Sequence, residues 1–144
     1  MEEGLSADGI ARAFGIERQD IRMLSPQSLA FLGDSVYELA VRTYLVEQGQ
    51  RPLKKFHNEK VKLVNAAAQA GIVDIIEPEL TQEELDMVRR GRGAKVASPA
   101  RGASLGDYHK ATGLETLCGY LYLTGRSERM IELLRRGWEH GKKS

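Results

Sequence analysis

A chain of 144 residues, 42% hydrophobic and 28% charged, has the length of one domain with a single modest core, and its composition excludes both a disordered chain and a membrane-spanning one. A lone cysteine, Cys118, excludes an intrachain disulfide and a cysteine-rich zinc site, and reads as a small hydrophobe on a buried helix face. The net charge of +1 says little by itself, but acids gather toward the N-terminus and bases gather in two central segments.

Residues 5–16 predict a short helix capped near Ser6, with Leu5, Ile10 and Phe14 as apolar contacts and Gly15 as its stop. No early apolar run follows a basic start, so a signal peptide is not expected and the protein is placed in the cytoplasm. A polar connection over 17–24 leads to Ser25 and Pro26, a cap followed by proline at the first helical position. From Pro26 to about Gln48 the spacing predicts the longest helix, with Leu29, Leu32, Val36, Leu39 and Ala40 on one buried face. Gly33 interrupts that helix at a cost in stability, and its usual reason is the close approach of another backbone. Asp34 follows at once and Glu38 lies one turn on, so both carboxylates project from the same side. They form either a solvated helix edge or half of a site that needs a second carboxylate from elsewhere.

Residues 50–71 open with Arg51-Pro52 and predict a second long helix, with Leu53, Phe56, Val61, Val64 and Ala68 as its apolar face. The apolar pattern continues through Ile72, Val73, Ile75 and Ile76 to the break at Pro78. Arg51, Lys54, Lys55, Lys60 and Lys62 form the first basic cluster, which by itself supports nucleic-acid binding only weakly, because charge runs on helices are usually solvated faces. Thr81-Gln82-Glu83-Glu84 fits a capping box. The helix it starts carries Leu85 and Val88 and ends at Arg89-Arg90-Gly91. A glycine-containing loop then runs to Gly106. From Arg89 to Lys110 six Lys or Arg residues stand against one acid, Asp107, a balance that suits a loop following a phosphate backbone or one that is merely soluble. Tyr108 to Leu123 predicts the third major helix, with Leu114, Leu117, Leu121 and Tyr122 apolar and Glu115 among them. Ser127 caps the last helix, where Ile131, Leu134 and Trp138 share a face. No segment alternates with period two, so the fold is expected to be all-α, one domain over 1–144 with its core over about 25–140.

Two ordered strings carry a family likeness. Leu29-Ala30-Phe31-Leu32-Gly33-Asp34-Ser35-Val36-Tyr37-Glu38 resembles the signature helix of the ribonuclease III family, a pattern like LEFLGDxVxE. Thr112-Gly113-Leu114-Glu115-Thr116-Leu117-Cys118-Gly119-Tyr120-Leu121-Tyr122-Leu123 resembles its second motif, like DxxEALxGAxYLD. Lys60-Val61-Lys62-Leu63-Val64-Asn65 resembles the segment around an LVN-type core. Arg90-Gly91-Arg92-Gly93-Ala94-Lys95 resembles the RGRNAK-type loop of the Mini-III branch, the catalytic domain without a C-terminal double-stranded-RNA-binding domain. The resemblance implies a ribonuclease III-type helical bundle forming a homodimer, signature helix against signature helix, with Gly33 at that contact. It implies magnesium-dependent cleavage of double-stranded RNA, in bacteria the trimming of the 23S ribosomal RNA precursor, and no membrane partner.

Carried over residue by residue, the resemblance makes Asp34 and Glu115 the catalytic carboxylates and magnesium ligands. Glu38 and Thr112 are candidates for the surroundings of the ion, and Lys60, Arg90, Arg92, Lys95 and Lys110 for phosphate contacts. Ala30 and Thr112 stand where the broader family has two further carboxylates. Magnesium keeps several waters and typically takes one or two protein carboxylates, so the remaining pair suffices for phosphodiester hydrolysis. Duplex RNA is read mostly by shape and backbone, so little sequence specificity is expected. Two other readings stay open. One is a non-catalytic duplex-RNA-binding or ribosome-assembly protein on the same scaffold, for which the two missing acids argue. The other is a helical DNA-binding module, against which no short helix-turn-helix pattern with a polar recognition helix stands out.

Overall fold

The computed structural model describes residues 4–94 and 104–143, and among them it contains helices and turns but no strand. Helix α1 (Ala7–Phe14) starts where Ser6 Oγ accepts the Gly9 N–H at 3.0 Å, and it stops at Gly15 in the left-handed region, φ 64°. After a single 3-10 turn at Ile21–Met23, α2 (Pro26–Glu47) begins on the expected Ser25 cap and proline. Its buried face is not the expected one. Leu29, Gly33, Tyr37, Val41 and Leu45, every fourth residue, are inside, whereas Leu39 is exposed and Leu32, Val36 and Ala40 are half-buried. Tyr37 can sit there because its hydroxyl donates to the Leu63 carbonyl at 2.6 Å, which satisfies its one polar atom.

The long helix expected over 50–71 is two helices. α3 (Leu53–Val64) and α4 (Ala66–Ile76) meet at Asn65, whose backbone is extended and whose side chain accepts the Ala68 N–H at 2.8 Å. Asparagine competes with the helix for its own hydrogen bonds, so it ends one helix and caps the next. Gly71 lies inside α4, which gives way to a 3-10 turn at Glu77–Glu79. α5 (Gln82–Arg92) starts on the capping box formed by Thr81 and Glu84. Glu84 also takes a two-pronged bond from Arg129, through Nε and Nη2, both at 2.9 Å. α6 (Leu105–Leu123) begins three residues earlier than expected, on a Ser104 cap. α7 (Ser127–Lys143) has Ser127 as its first residue rather than its cap, and it buries Met130, Leu133 and Leu134 while Ile131 is exposed.

The bundle is built around α6, which is apolar on all sides because α2, α4, α5 and α7 all pack on it. Cys118 lies in that core, as expected of a small hydrophobe. Two of the crossings bring backbone against backbone. A Cβ on Gly33 would stand 1.7 Å from the Glu115 carbonyl oxygen, and one on Gly119 would stand 2.1 Å from the Leu29 carbonyl oxygen. Where α5 crosses, Gly91 and Gly113 leave the same kind of room for Thr116 and the Val88 carbonyl. The close approach expected at Gly33 is therefore present, but its partner is corrected. Gly33 packs against α6 of its own chain, not against the signature helix of a second copy.

Candidate active site

The crossing of α2 and α6 determines what meets there. Asp34 follows Gly33 directly, and the carbonyl that Gly33 touches belongs to Glu115. The two carboxyl groups come within hydrogen-bonding reach of one another. Burial first, and then the charge of Asp34, pushes the Glu115 carboxyl up to about 8. Gln69 of α4, itself buried, lies near Glu115 from a third helix and opposes that shift. Asp34 is exposed, which leaves the pair open on one side.

Among the described residues no third Asp, Glu, His or Cys joins the pair as a possible ligand. Ala30 is buried and brings no polar side-chain atom, and the Thr112 hydroxyl donates to the Tyr108 carbonyl at 3.0 Å within its own helix. Two hard oxygen donors, crowded enough to push the Glu115 carboxyl up, fit a divalent cation of the magnesium or manganese type.

Glu38 stands one turn beyond Asp34 and is occupied by cations. Its Oε1 accepts from Arg42 Nη2 at 2.7 Å and from Lys60 Nζ at 3.1 Å. The bond from Arg42 is the main reason its carboxyl is held below the usual range. Lys60 is thereby pinned beside α2. Arg92 pairs with Glu77 at 3.5 Å, and Lys110 pairs with Asp74 at 2.7 Å. Arg90 is exposed near the end of α5, where its Nη2 donates to the Leu24 carbonyl at 3.5 Å. Lys95 lies outside the described residues. Sequence reasoning missed Arg42, whose only signal is its place four residues after Glu38. It also missed Gln69, the one polar side chain between Ala66 and Ile72.

On the side of α2 away from the core, Phe31, Leu39 and Val46 are exposed, Phe31 by 83%.

Residues 27–126 match the family model of the ribonuclease III domain. The chain is similar to a Mini-ribonuclease 3 of Clostridium tetani, 36% identical over 140 residues that cover 88% of this chain and 93% of that one. It is 44% identical over 119 residues to a Mini-ribonuclease 3 of a Thermoanaerobacter species, covering 83% and 84% of the two chains. To the Mini-ribonuclease 3 of a Synechococcus species it is 48% identical over 116 residues, covering 80% and 81%. Among solved structures, a crystal structure of a protein from Fusobacterium nucleatum resembles it with a TM-score of 0.75 at 30% identity, covering 81% of this chain and 95% of that one.

Proposed function

The chain belongs to the ribonuclease III family, in its Mini-ribonuclease 3 branch, and we propose that it cleaves double-stranded RNA with a magnesium ion held by Asp34 and Glu115. The observation that carries the reading is the pair itself, two carboxyl groups brought side by side at a junction where a Cβ would not fit. When bound, a divalent cation supplies an activated water, neutralises charge on the scissile phosphate and stabilises the leaving oxygen. The chain does the positioning. Gly33 and Gly119 let α2 and α6 come close enough for both carboxylates to act on one point, and the exposed flank of Asp34 leaves room for the substrate.

Lys60, Arg90, Arg92, Lys95 and Lys110 are assigned to phosphates of the duplex. Lys60, Arg92 and Lys110 are each paired with a carboxylate in the free protein. Partly exposed pairs of this kind are worth at most about 1 kcal/mol, so exchanging the carboxylate for a phosphate is cheap. Glu38 and Thr112 remain candidates for the surroundings of the ion, Glu38 through the two cations it holds. The exposed apolar side of α2 supports a homodimer with signature helices facing. Residues 1–144 then act as one catalytic domain, and a stem of the 23S ribosomal RNA precursor is the substrate that the branch implies. The cytoplasm is the compartment consistent with such a substrate. No described helix is long and apolar enough to cross a membrane.

The test is incubation of the purified protein with duplex RNA, with and without magnesium, beside Asp34→Asn and Glu115→Gln. Cleavage should require the ion and vanish in both variants while duplex binding persists. Duplex binding with no cleavage under any divalent ion would leave the non-catalytic reading standing instead.

A further inference from the structure

One turn of α2 past Asp34, two cations meet on one carboxylate oxygen. Glu38 Oε1 accepts from Arg42 Nη2 at 2.7 Å and Nε at 3.2 Å, and from Lys60 Nζ at 3.1 Å. Arg42 comes from α2 and Lys60 from α3. Because both bond the same atom, their nitrogens stand no further apart than the two bond lengths combined, close enough to grip a single tetrahedral anion. Two cations against one carboxylate leave one positive charge in excess. The Lys60 side chain is 21% exposed and that of Arg42 55%, so the lysine is the anchored half of the cluster and the arginine the open half.

Holding α3 on α2 does not depend on these charges. The Tyr37 hydroxyl donates to the Leu63 carbonyl at 2.6 Å, and Phe56, Leu63 and Val64 pack against the core. Partly exposed ion pairs add little to such an interface, which leaves the excess charge free for an anion from outside. Glu38 stands about 6 Å along the axis of α2 from Asp34. An RNA strand with one phosphate at Asp34 carries its neighbouring phosphate at a similar spacing. A planar guanidinium suits two phosphate oxygens at once, and an ammonium beside it adds a point charge.

We propose that Arg42 and Lys60 together bind a second phosphate of the RNA strand, one turn of α2 away from the Asp34–Glu115 pair, with Glu38 holding both side chains in place until that phosphate arrives. The inference rests on duplex RNA being the substrate and on Asp34 marking the point of cleavage. Phosphate contacts fix position rather than read sequence, so this one sets which bond of the strand lies at the carboxylates.

End-labelled duplex RNA is titrated with the full chain carrying Glu115→Gln, which keeps the strand uncut. The same titration is made after adding Arg42→Ala, Arg42→Lys or Arg135→Ala, at salt from about 50 to 200 mM. Arg135, paired with Glu139 on α7, controls for the loss of net charge. Arg42→Ala should bind several-fold more weakly and lower the slope of log affinity against log salt by roughly one. Arg42→Lys keeps the charge and should keep the slope, and Arg135→Ala should change neither affinity nor slope. Melting of Arg42→Ala should stay within a few degrees of its parent. If Arg42→Ala keeps the slope, or Arg135→Ala lowers it as much, no phosphate sits at Arg42 and the proposal falls while duplex binding stands. An unaltered slope with weaker association of copies in sedimentation would give Arg42 to a contact between copies instead. If the Glu115→Gln protein binds no duplex at any of these salt concentrations, the reading as a duplex-RNA enzyme fails and takes the proposal with it.

Discussion

Replacing Gly33 with alanine adds one methyl group where none fits. Its carbon would stand 1.7 Å from the Glu115 carbonyl oxygen, 2.7 Å from the carbonyl carbon and 2.8 Å from the Gly119 nitrogen. All three are backbone atoms inside α6, so no rotamer change clears them. Carbon–oxygen contacts between helices settle at about 3.3–3.6 Å, so α2 and α6 must part by roughly 1.6–1.9 Å. Overpacking costs about 1–3 kcal/mol where side chains can yield. Here only helices can yield, which puts the cost at about 3 kcal/mol or more. For a domain near this size each kcal/mol lowers the melting midpoint by roughly 2–4 °C, so a fall of about 6–12 °C is expected. The same parting moves Asp34 away from Glu115, and cleavage of duplex RNA should fall further than the folded fraction does. Gly71→Ala is the control. Nothing lies within 4 Å of its would-be Cβ, and removing glycine freedom inside α4 should stabilise by roughly 0.5–1 kcal/mol. Calorimetric melting of the three proteins, with their rates on duplex RNA, decides the matter. A Gly33→Ala protein that melts with the parent or above it would refute the backbone-on-backbone crossing.

Arg129→Met strands the buried Glu84 carboxylate and should cost roughly 3 kcal/mol near neutral pH, the low end for a broken buried pair because Arg129 stays partly open to water. Arg129 holds the Glu84 carboxyl below its usual range, so the contribution of the pair is complete above the unfolded value of about 4.3 and disappears as pH falls through the lower folded value. Denaturant titrations of parent and variant should therefore converge in acid, and a constant difference down to about pH 3 would contradict the linkage. Phe31→Glu combined with Leu39→Glu charges the outward apolar side of α2 and should shift sedimentation from dimer to monomer without lowering the melting midpoint at low concentration. An unchanged association constant would move the dimer contact off α2. Arg90→Ala together with Arg92→Ala should reduce the slope of log affinity against log salt by roughly one for each phosphate no longer neutralised; an unaltered slope would make the end of α5 an ordinary solvated surface.

Helix ends were readable because capping is local chemistry. Ser6, Gly15, Ser25 with Pro26, and Thr81 with Glu84 each specify a terminus through groups within a few residues. Asn65 is written in the same code, but the apolar spacing continued on both sides of it and concealed the break. What a helix faces is not local. α2 is apolar on two sides, Leu29, Tyr37 and Val41 toward the core and Phe31, Leu39 and Val46 outward, so a search for one apolar face lands between them. Gly33 announces that something comes close but carries no address for it. Motif likeness alone linked Asp34 to Glu115 across the chain. The burial that pushes the Glu115 carboxyl up comes from helices packed together, which no local stretch of sequence specifies. The same geometry accounts for a site of two acids. Four carboxylates at so close a crossing would each be desolvated beside the others, and the ion-free protein would bear that cost. With Ala30 and Thr112 in two of those places the helices can touch without it. On the proposed function, phosphate oxygens of the RNA would supply the negative charge given up.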